Sequence, residues 1–192
     1  VNDSVIVGFD NGKLIALDIA NGKYTWETGI AIAKGRSEVE RLVDLDADMV
    51  QTNDVVYVAS YRGGMAAVSA SDGDMLWQNT SISSYLGLSH DFRWVYLTDA
   101  HAHVWQIDQR SGAGLWQQKE LHHRRLTAPV TYQNYIVVGD FEGYVHWLSS
   151  TDGHQLGRVQ VTDAPIENPP IVVDDIVYIY AKDGTLSALK MK

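Results

Sequence analysis

The sequence predicts an all-β fold, a β-propeller of four-stranded antiparallel blades. Three observations predict it. First, one pattern recurs four times in full and once in part along 192 residues. Its equivalent positions Leu17, Val68, Ile107, Leu148 and Leu189 are spaced by 51, 39, 41 and 41 residues. Such a period, built from strands and turns, marks a propeller or another repeat array. Second, the apolar runs are strand-length and bounded by Gly, Asn and Asp, as in hairpin meanders. Third, the inner strands are apolar on successive residues, as in Val55-Val56-Tyr57-Val58 and Ile176-Val177-Tyr178-Ile179-Tyr180. A sheet with one wet face would alternate instead, so both faces are covered.

The first repeat has Val5-Ile6-Val7, Asp10-Asn11-Gly12, Leu14-Ile15-Ala16-Leu17, Asn21-Gly22 and Trp26. The second has Val56-Tyr57-Val58, Gly63, Met65-Ala66-Ala67-Val68, Asp72-Gly73 and Trp77. The third has Val95-Tyr96-Leu97, Val104-Trp105-Gln106-Ile107, Ser111-Gly112 and Trp116, with Ala102 where a turn glycine is expected. The fourth has Ile136-Val137-Val138, Glu142-Gly143, Val145-His146-Trp147-Leu148 and Asp152-Gly153, with Gly157 in place of the tryptophan. The fifth has Val177-Tyr178-Ile179, Asp183-Gly184 and Leu186-Ser187-Ala188-Leu189.

A weaker strand precedes four of these: Met49-Val50-Gln51, Leu86-Gly87-Leu88, Val130-Thr131-Tyr132 and Ile171-Val172-Val173. Four strands per repeat make a propeller blade. The predicted blades are 1–32, 47–83, 85–121, 128–162 and 169–192, with a long inter-blade loop over 29–48, in one domain of residues 1–192. The recurrent tryptophan reads as inter-blade packing, since each can bury roughly 150–250 Å². The repeats lack the Trp-Asp dipeptide of WD40 blades, and Gly-His occurs only once, in the turn at Gly153-His154.

The first repeat lacks its first strand and the fifth its fourth. The expectation is about half of a larger propeller, ending at the C-terminus, with three complete blades and two partial ones. The first and last blades, to which Leu14, Leu17, Val177 and Leu189 belong, are expected to have bare faces that drive self-association or contact the rest of the propeller.

A formal charge of −9 argues against nonspecific nucleic-acid binding. The absence of cysteine excludes disulfides and thiolate metal sites. No apolar run has membrane-spanning length. His101-Ala102-His103 and His122-His123 have no third ligand at suitable spacing, so no metal site is expected. His122-His123-Arg124-Arg125 reads as a basic, solvated linker between blades, with a minor docking role as the alternative. Asp10, Asp72, Asp140, Asp152 and Asp183 each sit by a turn glycine and read as turn formers. No nucleophile elbow, phosphate loop or zincin motif is present, so no catalytic residue is assigned.

Residues 29–48 are the candidate site. They carry Lys34, Arg36, Glu38, Glu40, Arg41, Asp44, Asp46 and Asp48. Ser37-x-x-Glu40 fits a capping box, and Val39, Leu42 and Val43 have helical spacing. The residues alone leave two readings open, a solvated connection or a binding loop.

The Asp/Asn-Gly-x-x-x-Trp pattern resembles the PQQ-type propeller repeat of quinoprotein dehydrogenases. Several non-repeating stretches are more specific. Glu38-Val39-Glu40-Arg41-Leu42-Val43-Asp44-Leu45-Asp46, Leu121-His122-His123-Arg124-Arg125-Leu126-Thr127-Ala128-Pro129-Val130, Val137-Val138-Gly139-Asp140-Phe141-Glu142-Gly143-Tyr144 and Ala181-Lys182-Asp183-Gly184-Thr185 resemble the BamB family of outer-membrane assembly lipoproteins. The likeness runs in order from about Arg36 to the C-terminus. It implies an eight-bladed propeller with no catalytic activity and no cofactor, held to the periplasmic face of the outer membrane by an N-terminal lipid. It implies the POTRA domains of BamA as partner, and nascent outer-membrane β-barrel proteins as clients. It also implies a partner-binding role for Asp44 and Asp46, which match acidic positions of the family. Glu38, Glu40 and Arg41 join them, Arg41 either as a contact or as the residue that holds the aspartates. The family site draws as well on a loop one blade upstream, outside this sequence.

Two other classes remain. A fragment of a PQQ-dependent dehydrogenase needs a quinone over calcium, and such enzymes often carry an adjacent-cysteine disulfide that this sequence lacks. A propeller sensor domain is the other.

Overall fold

A computed structural model of the protein describes residues 4–30, 45 and 47–191. Among the described residues there are eighteen strands and no helix. Neighbours in sequence pair antiparallel, giving five meander sheets. The first sheet is β1 (Ser4–Gly8), β2 (Lys13–Asp18) and β3 (Tyr24–Gly29). The second is β4 (Val50–Thr52), β5 (Val55–Ser60), β6 (Gly64–Ser69) and β7 (Met75–Asn79). The third is β8 (Leu88–His90), β9 (Trp94–Thr98), β10 (Val104–Asp108) and β11 (Gly114–Gln118). The fourth is β12 (Val130–Tyr132), β13 (Tyr135–Gly139), β14 (Tyr144–Ser149) and β15 (Gln155–Gln160). The fifth is β16 (Ile171–Val173), β17 (Ile176–Tyr180) and β18 (Leu186–Leu189). Three sheets have four strands and two have three, as the repeat predicts.

Two short strands start later than their apolar runs suggest, β8 at Leu88 by two residues and β4 at Val50 by one. The Asp91 Oδ1 accepts the N–H groups of Arg93 and Trp94, both at 2.7 Å, and Oδ2 accepts the Tyr96 hydroxyl at 2.8 Å. The pairing register is the one the other sheets use, with His90 opposite Val95 as Gln51 is opposite Val56.

The described residues form two compact units. Residues 1–85 with 109–113 form one, and residues 86–108 with 114–192 the other. In the first unit, Trp26 donates from Nε1 to the Ala70 carbonyl at 3.1 Å, and Trp77 donates likewise to Gln109 at 2.9 Å. In the second unit, Trp116 donates to Ser150 at 3.2 Å. Each indole also lies on the glycine of the turn it bonds, Gly73, Gly112 and Gly153 in order. All three glycines have positive φ. A Cβ on Gly73 would stand 2.6 Å from the Trp26 ring, and one on Gly153 would stand 2.5 Å from Trp116. The turn needs glycine for its backbone, and the indole needs it again for room.

The fourth repeat exchanges the partners of this device. In the first three complete strand pairs, Trp26, Trp77 and Trp116 lie opposite Ala16, Ala67 and Gln106. In the fourth, Gly157 lies opposite Trp147. The indole has crossed to the neighbouring strand. It is buried there and meets Tyr132 and Tyr135 edge-on at 5.6 and 6.1 Å. Tyr132 takes over the link to the next sheet, donating its hydroxyl to the Asp175 carbonyl at 3.1 Å.

Burial follows position in the stack. β6 is buried at every residue, and β5, β13 and β14 at nearly every one. β17 and β18 alternate, because one face of their sheet meets no other described strand. The sequence expectation for the bare faces is corrected here. Leu14 and Val177 are fully buried, in the cores shared with the neighbouring sheet, and Leu17 and Leu189 are half-buried. The exposed apolar residues on the strands of those sheets are instead Val5, Tyr24, Ile171, Val173, Tyr180 and Leu186. Leu14 and Val177 pair with residues on the same sheet but point to its inner side, as the two-residue strand period dictates.

The glycine–indole contact makes a paired prediction. Gly22 and Gly73 have similar φ, +66° and +79°, but nothing lies within 4 Å of a Cβ on Gly22. Gly22→Ala therefore costs only the left-handed backbone strain, about 1–2 kcal/mol. Gly73→Ala adds the displacement of Trp26, a further ~1–3 kcal/mol typical of overpacking. Urea unfolding of the two variants checks the difference; equal midpoints would contradict it.

Candidate functional site

The candidate loop leaves and re-enters the fold at well-packed points. Ile30, just after β3, is buried and donates its N–H to the Gly12 carbonyl at 2.8 Å. The Gln78 amide donates to the Ile30 carbonyl at 2.6 Å and to Gly63 at 3.3 Å, joining the start of the loop to a turn of the next sheet. At the far side Leu45 and Ala47 are buried, and Asp48 is exposed. Leu45 occupies the space over Gly8, where an added Cβ would come within 2.9 Å of the leucine Cβ. Ile166 occupies the same place over Gly139 in the fourth repeat. Both residues stand five positions before the next short strand, β4 and β16 respectively. The acidic segment is thus an insertion between two fixed points that the fourth repeat also has, where the Val161 N–H donates to the Gly143 carbonyl at 3.0 Å and Ile166 covers Gly139. Glu38, Glu40, Arg41, Asp44 and Asp46 lie outside the described residues, as does the Ser37–Glu40 capping box.

A second constellation went unread in the sequence. Asp140, fully buried at the end of β13, collects four hydrogen bonds. Its Oδ1 accepts the N–H groups of Glu142 and Tyr144, both at 2.9 Å. Its Oδ2 accepts Arg124 Nε at 2.5 Å and bonds His146 Nε2 at 2.8 Å. Arg124 also reaches Glu142 through Nη2 at 2.6 Å. His146 is itself fully buried, and its Nδ1 has no partner among the described residues. Burial pushes the Asp140 carboxyl up, but the bonds from His146, the Tyr144 N–H and Arg124 outweigh it and hold the group below the usual carboxylate range. For Arg124, burial lowers the pKa, and the bonds to Asp140 and Glu142 raise it above its ordinary value.

The basic linker is therefore not simply solvated. Arg124 is the lock between the β11–β12 connection and the β13–β14 turn, and the Phe141 N–H also donates to the Arg124 carbonyl at 3.1 Å. Among the turn aspartates, Asp140 is the exception. Asp72, Asp152 and Asp183 behave as turn formers, each accepting the N–H two residues on. Their carboxyls lie below the ordinary value, through bonds led by Ser69, His154 and Thr162 respectively. In the third repeat Asp99 holds Trp105 Nε1 at 2.9 Å and His103 Nδ1 at 3.0 Å. The signal available in the sequence was the shared six-residue spacing of Asp99–Trp105 and Asp140–His146. His103 is thus a turn ligand of Asp99, and Ala102 adopts φ +62° where the other repeats have glycine.

The family model described as outer membrane protein assembly factor BamB matches residues 1–118 and 103–192. The chain belongs to the BamB family. A BamB relative from Alkalilimnicola ehrlichii is 38% identical over 191 residues, covering all of this chain and 50% of that protein. One from Pseudomonas aeruginosa is 37% identical, covering 97% of this chain and 49% of the relative. The crystal structure of BamB from Moraxella catarrhalis superposes with a TM-score of 0.89 at 28% identity, over 98% of this chain and 56% of the other. The chain spans about half the length of these BamB proteins.

The Asp140 network makes a prediction with a definite sign. A carboxylate with a depressed folded-state pKa contributes stability above its unfolded value and loses it as pH falls through the folded one. Asp140→Asn should therefore flatten the fall in stability below about pH 4, the ordinary aspartate range. Asp140→Ala, which takes away the His146 ring's only hydrogen-bond partner among the described residues and leaves Arg124 paired with Glu142 alone, should cost about 3 kcal/mol at neutral pH. Arg124→Ala should cost less, because His146 and two N–H groups remain on the carboxylate. Urea titrations across pH test both; parallel pH curves for wild type and Asp140→Asn would contradict the assignment.

Proposed function

We propose that this chain is a non-catalytic scaffold part of the outer-membrane β-barrel assembly machinery. In this reading it binds the POTRA domains of BamA and assists insertion of outer-membrane β-barrel proteins. The full-length protein works at the periplasmic face of the outer membrane, held there by an N-terminal lipid. Membership of the BamB family supports the assembly role. The observation that carries the binding reading is the inserted segment between Ile30 and Leu45. Both of its ends are buried, Ile30 hydrogen-bonded to Gly12 and Gln78 and Leu45 packed over Gly8, so the charged insertion starts and ends at packed points. Long loops of this kind in compact domains are usually either functional or linkers, and the family resemblance of the acidic positions favours the first. Asp44 and Asp46 are the proposed contacts, with Glu38, Glu40 and Arg41 beside them.

In the full-length protein, Asp44→Arg with Asp46→Arg should weaken POTRA binding at least tenfold, because each reversal sets like charge against the partner's complementary charge. Surface substitutions of this kind change stability by only about 0.5 kcal/mol, so the melting curve should stay in place. Asp152→Arg is the control, since Asp152 is an exposed turn residue paired with His154. A pull-down with matched melting curves decides it. If the double variant binds as well as the control, the loop is only a connection.

A further inference from the structure

The connection carrying Arg124 does more than close a turn. With the β13–β14 turn and the β15–β16 connection it forms an open pocket of about 160 Å³ lined by Arg125, Leu126, Thr127, Phe141, Pro165, Ile166 and Glu167. An apolar cavity of roughly 150 Å³ holds a benzene ring, so this space fits one aromatic side chain.

Its walls are fixed before anything binds. The Thr127 N–H donates to Gly139 at 2.9 Å, and the Gly139 N–H returns to Thr127 Oγ1 at 3.0 Å. The Ile166 N–H donates to Asp140 at 3.0 Å, and the Lys182 N–H to Pro165 at 2.9 Å. Behind them stands the buried Arg124–Asp140–His146 network. Two non-glycine residues of the connection, His123 and Arg125, hold left-handed φ of 64° and 48°. Such strain persists only where surrounding structure enforces it, and it gathers at binding sites.

The rim has a charge preference. Arg125 lays its guanidinium on the Phe141 ring at 5.2 Å, and no carboxylate of the described residues pairs with it. Glu167, opposite, is already neutralised by Lys182 at 2.8 Å. Phe141 is 47% exposed, and the flanking His122 and His123 are exposed as well. On a chain of net charge −9, this is a local site with apolar depth and one uncommitted cation.

We propose that this cavity is a second docking site, distinct from the acidic loop. Its occupant is a partner peptide segment in which an aromatic side chain is followed by a carboxylate. The ring enters between Leu126, Ile166 and Pro165 against Phe141, and the carboxylate meets Arg125. Buried aromatic anchors beside arginine are the usual form of a binding hot spot.

The test is an NMR titration of the intact, isotope-labelled protein with the peptide GSFDSG and its counterparts GSADSG and GSFNSG. GSFDSG should give saturable shifts centred on the amides of Leu126, Phe141 and Ile166. Affinity should fall about tenfold when the phenylalanine or the carboxylate is removed, and by a similar factor for GSFDSG with the Arg125→Glu protein. Asp44→Arg with Asp46→Arg should leave these shifts unchanged, so failure of the POTRA reading and failure of this one are separable. Absence of saturable shifts at those amides, equal binding of GSADSG, or indifference to Arg125→Glu would each overturn the site.

Discussion

The structure depends on one recurring contact, an indole laid on the glycine of the next turn. Trp26, Trp77 and Trp116 each cap a left-handed glycine and donate to a carbonyl of the same turn. A single contact of this kind serves two purposes. It buries a large apolar ring, and it satisfies both a ring N–H and a turn carbonyl that packing would otherwise strip of water. It also fixes the position of each turn relative to the preceding sheet, because neither a larger residue nor a different φ fits at the glycine.

Within each unit, the turns and connections that matter for recognition inherit this order. The second-to-third strand turns and the connections to the next inner strand emerge at the same end of their sheets, as a meander requires. There Leu45 and Ile166 plug the spaces above Gly8 and Gly139, so a connection of any length starts and ends at fixed points. An acidic insertion can be carried on one connection without disturbing its neighbours. A buried charge network can stiffen another. The desolvation of Asp140 is offset by four hydrogen bonds rather than by one ion pair, the condition under which a buried carboxylate is tolerated.

Most of the fold was legible because blade strands have a local signature: apolar runs of strand length, and turn residues that only left-handed backbone explains. The tryptophan role was legible too, from its spacing. The Gly157 exception was recorded but not explained, although its answer stood ten residues earlier in Trp147, directly opposite in the strand pair. The Arg124–Asp140–His146 network was missed for a different reason. Asp140 shares its local pattern with the turn aspartates, and its partners lie 16 and six residues away on other elements. Local sequence reports turn chemistry; it does not report which turn is covered by a neighbouring connection. The candidate loop residues came from family resemblance, and their positions lie outside the described residues.

The central claim is that a rigid frame presents one charged insertion to a partner. Hydrogen–deuterium exchange of the full-length protein, with and without the BamA POTRA domains, tests it most directly. The account predicts added protection over residues 30–48 and the turn at Tyr61–Gly64, with the glycine turns under Trp26, Trp77 and Trp116 equally slow in both states. Protection spread instead along the outer strands β7, β11 and β15, with residues 30–48 unchanged, would contradict it.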